Sequence, residues 1–215
     1  MGRDKIHTPY ITVGGQKVPS VTTIIGGNLG WNKNILLGWT RKKMNEGIDP
    51  IRIRDFAAEV GTVAHGLVEQ ALTEKEFNIY EYPAEAVTAA QVAYQAFLAF
   101  DNINDLQTDA VEVPLVHEDL KYGGTIDWVG KLNGVQCMID FKTSSNIYAD
   151  HYIQLCAYRE LYKFEYGVEL EEVHLLHMDK ITGNQQLHTL TYFKPYWRAF
   201  EILLELDDIR RELGQ

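Results

Sequence analysis

Two acids and a lysine, Asp127, Asp140 and Lys142, flank an Asn133-Gly134 pair in the stretch YGGTIDWVGKLNGVQCMIDFKTSSNIYADHYIQLCAY. Asn-Gly between alternating apolar residues signals a two-residue type I′ hairpin. Such a turn sets Leu132 opposite Val135. The same register places Asp127 directly opposite Asp140 as a non-hydrogen-bonded pair, with Cα atoms about 4.5 Å apart. Lys142 then shares their face, whereas Ile126, Trp128, Ile139 and Phe141 point to the other. Opposed carboxylates repel unless a divalent cation or a shared proton offsets the charge, and a hard cation such as Mg2+ or Mn2+ suits oxygen ligands. The plainer alternative is a solvated strand face on which Lys142 neutralises one acid.

Two helical stripes accompany this hairpin. Upstream, GTVAHGLVEQAL places Gly61, His65 and Glu69 at i, i+4 and i+8, with the small Gly61 leaving the imidazole room to approach a neighbouring element. Downstream, Asp150, Gln154 and Tyr158 form a second stripe while Ile153, Ala157 and Leu161 face elsewhere. Standing alone, His65 fits a core or boundary histidine, and the second stripe fits a solvent face.

In chain order, Gly-x-x-x-His, Gly-Thr-Ile-Asp, Ile-Asp-Phe-Lys-Thr and Gln-x-x-x-Tyr closely resemble the RecB-like branch of the PD-(D/E)XK nuclease superfamily, over roughly residues 60 to 160. The segment VPSVTTIIGG adds a weaker similarity to the phage and mitochondrial exonucleases of that branch. The resemblance implies that His65, Asp127, Asp140 and the backbone carbonyl of Phe141 are metal ligands. It makes Lys142 the residue that orients or helps deprotonate the attacking water, and sets Gln154 and Tyr158 along the nucleic-acid path. Asp140 stands where the family often has Glu. Glu69 fits either support of His65 or helix solvation. Glu112 fits an outer ligand or, in preference, an exposed strand residue.

The implied activity is that of a Mg2+- or Mn2+-dependent deoxyribonuclease, an exonuclease acting on DNA ends or single strands in recombination, repair or phage DNA metabolism. Recombination or replication proteins are its expected partners. A structure-selective endonuclease and a catalytically silent DNA-binding subunit are the alternatives, and oligomeric state stays open. The two cysteines, Cys137 and Cys156, form no ligand motif or disulfide framework. No iron-sulfur cluster is expected, because the family's cluster needs four cysteines.

The 215 residues, 46% of them hydrophobic, suffice for one core, and no apolar run is long enough for a membrane span. A single nuclease domain is expected: residues 1–105 mainly helical, 106–193 the catalytic sheet and helix, and 194–215 a C-terminal helix. The start MGRDKIHTPY is polar and no apolar leader follows, which fits a cytoplasmic protein of a bacterial or phage-infected cell without membrane association. The net charge of −10 runs against the usual basic nucleic-acid binder. Arg41, Lys42, Lys43, Arg52 and Arg54 nevertheless cluster ahead of the His65 helix, either as a phosphate-tracking entrance or as an ordinary helix surface.

Periodicity predicts two or three N-terminal helices, over 34–46, 52–75 and 84–100, and later helices over 149–166 and 194–213, the last with Pro195 in its first turn. Strands are predicted over 109–117, 122–131 and 135–142, and VHLLHMD and QQLHTLTYF form a second hairpin around Thr182-Gly183-Asn184. The fold class is α/β, a central mixed sheet flanked by helices. The resemblance implies a restriction-endonuclease-like core with an N-terminal helical wall over the Asp127 and Asp140 edge. Alternation sends His174 and His177 to opposite faces, and with His188 they match no zinc motif.

Overall fold

Asn133 and Gly134 both take left-handed backbone angles, φ 51° and 86°, which a type I′ turn requires of its two central residues. Asn133 also ties the turn down: its N–H donates to Asp105 O (2.8 Å) and its Oδ1 accepts from Asp105 N (2.9 Å). This computed structural model describes residues 9–214, so the polar start Met1–Thr8, expected to lack a leader, lies outside the described residues, as does Gln215.

In chain order the elements are β1 Tyr10–Ile11, β2 Lys17–Val18, α1 Val21–Asn28, α2 Lys33–Asn45, α3 Pro50–Thr73 and α4 Ala84–Asp101. There follow β3 Leu106–His117, β4 Tyr122–Leu132, β5 Val135–Lys142, α5 Ala149–Tyr166, β6 Val173–Met178, β7 Gln185–Leu190 and α6 Lys194–Glu212. The main sheet has the order β3-β4-β5-β6-β7. Its pairs are antiparallel except β5 with β6, which are parallel and therefore need the α5 crossover. The second hairpin extends the sheet, as expected. Six helices flank this mixed sheet, the α/β class expected from the sequence. Among the described residues, no helix is long and apolar enough to cross a membrane.

Each sheet face has its own core. On one side Met138, Ile126 and Leu175 pack with Ile24 of α1, Ile153 and Leu161 of α5 and Phe200 of α6. On the other, Trp128, Ile139, Phe141 and Leu176 pack with Val60, Val63, Ala64 and Val68 of α3 and with Ala90, Ala93 and Phe97 of α4. The alanines of α4 at 86, 90 and 93 are fully buried, and their small size lets α4 pack closely on α3.

Three expectations are corrected. Among the described residues four α-helices precede β3, because VTTIIGGN forms α1, and β1 and β2 form a small separate sheet. The β-branched run in α1 hides it from propensity. Tertiary packing decides instead, with Val21, Ile24 and Ile25 buried and Ser20 Oγ capping Thr23 N at 3.0 Å. Ile126 and Trp128, expected on one face, bury in opposite cores. Glu112 on β3 has φ 51°, a left-handed residue that reverses the alternation. β4 reverses with it because the register holds from Val111↔Trp128 to Val113↔Ile126.

The third correction concerns Asp127 and Asp140. The β4–β5 ladder keeps the expected register from Leu132↔Val135 to Trp128↔Ile139 and stops there, one pair short of them. Like carboxylates directly opposite each other would repel. Asp127 Oδ2 instead accepts the backbone N–H of Phe141 at 2.8 Å.

Candidate active site

The ladder stops where chemically active side chains from both faces meet. From one face α3 presents His65, set by the buried Val60, Val63, Ala64 and Val68 around it. His65 Nε2 lies 3.0 Å from Phe141 O and Nδ1 3.6 Å from Asp127 Oδ2. Glu112, opposite Asp127 in the β3–β4 register, turns its carboxylate to the same point. Ligand atoms of His65, Glu112 and Asp127 all lie within 4.8 Å of one another.

The donors and acceptors of this cluster fit a cation. Around one imidazole stand the oxygens of Asp127, Glu112 and the Phe141 carbonyl, all acceptors. A neutral imidazole has one N–H and one lone pair, so it cannot satisfy both the oxygens its two nitrogens face. A hard cation among the oxygens removes that conflict and offsets the repulsion of the two carboxylates. Glu112, favoured from sequence as an exposed strand residue, is therefore part of the candidate ligand set, while Asp140 lies outside that group of three.

Asp140 and Lys142 project to the α5 face. Lys142 Nζ lies 2.6 Å from Asp140 Oδ2 and donates to Gln154 Oε1 at 3.1 Å, and Gln154 Nε2 donates to Tyr158 OH at 2.8 Å. The Gln154 and Tyr158 stripe thus faces the sheet, with Tyr158 buried, and is no solvent face. Burial opposes charge on both partners. At Lys142 the carboxylates of Asp140 and Asp127 outweigh it and hold the ammonium above the usual lysine range. At Asp140, burial together with Asp127 outweighs Lys142 and pushes the carboxyl up to about 6. The 2.6 Å contact between the ammonium and the carboxylate holds the two together against that burial. Burial, with Asp140 nearby, raises the Tyr158 phenol well above its ordinary value, so it keeps its proton.

Glycine at 124 positions Tyr158. A Cβ there would fall 2.5 Å from Tyr158 Cε1 and 3.1 Å from Leu161 Cδ1, so the ring crosses the strand only over a bare Cα. Gly61, expected to be the small residue that matters, is less demanding: a Cβ would sit 3.5 Å from Thr143 Oγ1, an ordinary contact. Glu69 accepts from Lys75 Nζ at 2.7 Å, the helix-surface reading. His174 and His177 tie strands and a loop together. His174 Nδ1 lies 3.0 Å from Thr189 Oγ1, and His177 Nε2 lies 2.6 Å from Ser144 O.

No protein-family model matches the chain, and no curated protein does. Among solved structures, one similar fold is a candidate exonuclease from Eubacterium rectale, with TM-score 0.47 and 15% identity over 72% of this chain and 65% of that one. A second is the protein SSO0001, with TM-score 0.33 and 17% identity over 68% of this chain and 74% of that one. The chain thus spans somewhat under two thirds of the length of the first. Likeness at this level carries no argument about chemistry, which rests on the side chains described above.

Proposed function

We propose that this chain is a metal-dependent deoxyribonuclease of the PD-(D/E)XK type, an exonuclease that releases nucleotides from DNA ends or single strands with Mg2+ or Mn2+. Its setting would be recombination, repair or phage DNA metabolism. The observation that carries this reading is the convergence of His65, Glu112 and Asp127 within 4.8 Å, beside a lysine fixed by an acid and an amide.

His65, Glu112, Asp127 and the Phe141 carbonyl would hold the ion, with Asp140 the further acid that the family resemblance implies. A bound divalent ion supplies neutralisation of phosphate charge and a lowered pKa for water. Lys142 supplies three donors on one ammonium, able to hold the attacking water and to offset charge growing on the phosphoryl oxygens. Asp140 and Gln154 keep that ammonium in place before substrate arrives, so little reorganisation remains at the moment of reaction. Tyr158, a phenol at neutral pH, offers a hydrogen bond or a ring face to a nucleotide.

The test is incubation with end-labelled single- and double-stranded DNA in Mg2+, Mn2+ or EDTA. Stepwise loss of nucleotides from ends, in metal only, is expected. Purified, folded protein that leaves both substrates intact in both metals refutes the reading.

A further inference from the structure

Helix α2 has no buried residue, unlike the other α-helices among the described residues. Trp31, just before it, is 63% exposed, and Ile35, Leu37 and Met44 are exposed as well. Several large apolar side chains held in water on one short helix suit a binding surface better than a packing one. The same helix carries Lys33, Arg41, Lys42 and Lys43 and no acid, in a chain of net charge −10. Of these, Lys43 is held closely, 2.7 Å from Glu46, while Lys42 stands 4.0 Å from it.

The arrangement of these residues selects among occupants. At about 100° per residue, Leu37 and Arg41 share one stripe and Ile35 and Lys42 another, so apolar and basic side chains interleave. A helix lying on a membrane segregates the two onto opposite faces. The centre of a protein interface is depleted of charge. A polynucleotide single strand presents phosphates and unstacked bases alternately along its length, matching the interleaving, whereas a duplex hides its base faces.

The position of α2 fits as well. It packs against α3, which carries His65. At its start, a shallow pocket is lined by Leu29, Asn32, Lys33, Leu36 and Asp150. Asp150 lies on the first turn of α5, one turn before Gln154.

We propose that α2 and Trp31 bind the single-stranded part of a DNA substrate beside the candidate active site, Arg41 and Lys42 on phosphates and Trp31 and Ile35 against bases. The placement of the strand's reacting end rests on the nuclease reading, but binding is measured without it. The 215-residue protein is titrated in EDTA with labelled oligothymidine, with duplex and with anionic vesicles, at several salt concentrations, as wild type, Trp31→Ala and Arg41→Gln/Lys42→Gln. Hydrolysis of the p-nitrophenyl ester of thymidine monophosphate in Mn2+, a substrate too small to span both places, is followed alongside. Because α2 buries nothing, the variants should fold.

Trp31→Ala is expected to weaken oligothymidine binding about tenfold. The double variant should reduce the slope of log affinity against log salt by about 1.4, at about 0.7 per phosphate contact. Ester hydrolysis should be unchanged. Wild-type oligothymidine affinity in both variants overturns the proposal, as does an equal loss for duplex. Loss of binding to anionic vesicles without loss of DNA binding also overturns it, in favour of a lipid surface. If no variant or wild type hydrolyses DNA or ester while the binding losses occur, the nuclease reading fails and this one stands.

Discussion

Replacing Glu112 by glycine should stabilise the metal-free protein and weaken its response to metal. Glu112 sits inside β3 at φ 51°, a conformation that costs a non-glycine residue about 1–2 kcal/mol. Glycine removes that cost but loses about 0.5–1 kcal/mol more backbone entropy on folding. The substitution also takes one of two carboxylates out of a cluster spanning 4.8 Å, relieving about 1 kcal/mol of repulsion at a water-like dielectric. It forfeits an attraction to Lys75, which solvent exposure makes weak. The balance is a gain of about 1 kcal/mol, a rise of about 2–4 °C in Tm for a chain of this size. Metal reverses the order. Wild type gains about 2.7 kcal/mol when Mn2+ stands at a hundredfold its Kd, and the variant, short of a ligand, gains less. Calorimetric melts in EDTA and across a Mn2+ series test both halves. Glu112→Ala, which keeps the strained backbone but not the carboxylate, should melt below Glu112→Gly in EDTA. If Glu112→Gly melts below wild type in EDTA, the strain is not there. If the two gain equally from Mn2+, Glu112 is no ligand.

Asp127→Asn, Asp140→Asn and Lys142→Ala should each abolish DNA cleavage while the circular dichroism spectrum stays native, and wild-type rates in any of them would refute its role. Gln154→Ala and Tyr158→Phe should slow cleavage but leave Mn2+ affinity by calorimetry unchanged; a loss of metal as severe as in Asp127→Asn would put them in the metal shell. Gly124→Ala, whose new Cβ would fall 2.5 Å from a buried Tyr158 ring, should cost about 1–3 kcal/mol in urea unfolding, and an unshifted midpoint would contradict the close approach. Burial first, then Lys142, holds the His151 imidazole down at about 4, where its Nδ1 can accept from Tyr148 N. Between that value and the ordinary histidine value only the unfolded chain binds the proton, so this contribution is complete above about pH 6.5 and is lost as pH falls toward about 4. Asp140, with a raised pKa, acts in the opposite sense. The stability difference between wild type and His151→Asn isolates the histidine, and it should shrink on acidification by at most about 1.4 kcal/mol per pH unit, less for a ring not fully enclosed. A difference independent of pH refutes it.

The most legible parts of the sequence were those governed by local rules. Asn133-Gly134 set the register of β4 on β5 because φ above zero at both positions leaves one tight turn. The bounds of β5 and α5 were as expected, since each is closed by residues that cannot continue it: Asn133-Gly134 before β5, and Gly167 at φ 67° after α5. Glu112 was legible only as one of two alternatives. The connection between β3 and β4, Glu118 to Lys121, carries no turn dipeptide that fixes register, so nothing local sets Glu112 opposite Asp127. Its left-handed φ is likewise a property of the assembled sheet, for no propensity places a glutamate there. The inward turn of Gln154 and Tyr158 escaped for a related reason: polar residues on a helix signal solvent until a buried lysine is found opposite them.

The reversal of alternation at Glu112 and Asp127 explains how one site draws on both faces of the sheet. α3 and α5 pack on opposite sides, so a regular strand would aim Asp127 at His65 or at Lys142, never between them. The β4–β5 ladder ends at Trp128↔Ile139, which frees the next backbone amide of β5 for a side chain. There Asp127 takes the Phe141 amide and approaches His65, while Asp140 and Lys142 keep the α5 side. The cost is a missing ladder pair and one left-handed glutamate, about 1–3 kcal/mol for the latter. What that strain stabilises is a position from which a carboxylate, an imidazole and a carbonyl converge. Glycine adopts the same left-handed backbone without that cost, so Glu112→Gly should keep the His65 and Lys142 sides together and lose only the carboxylate, a loss that metal affinity and cleavage should both register.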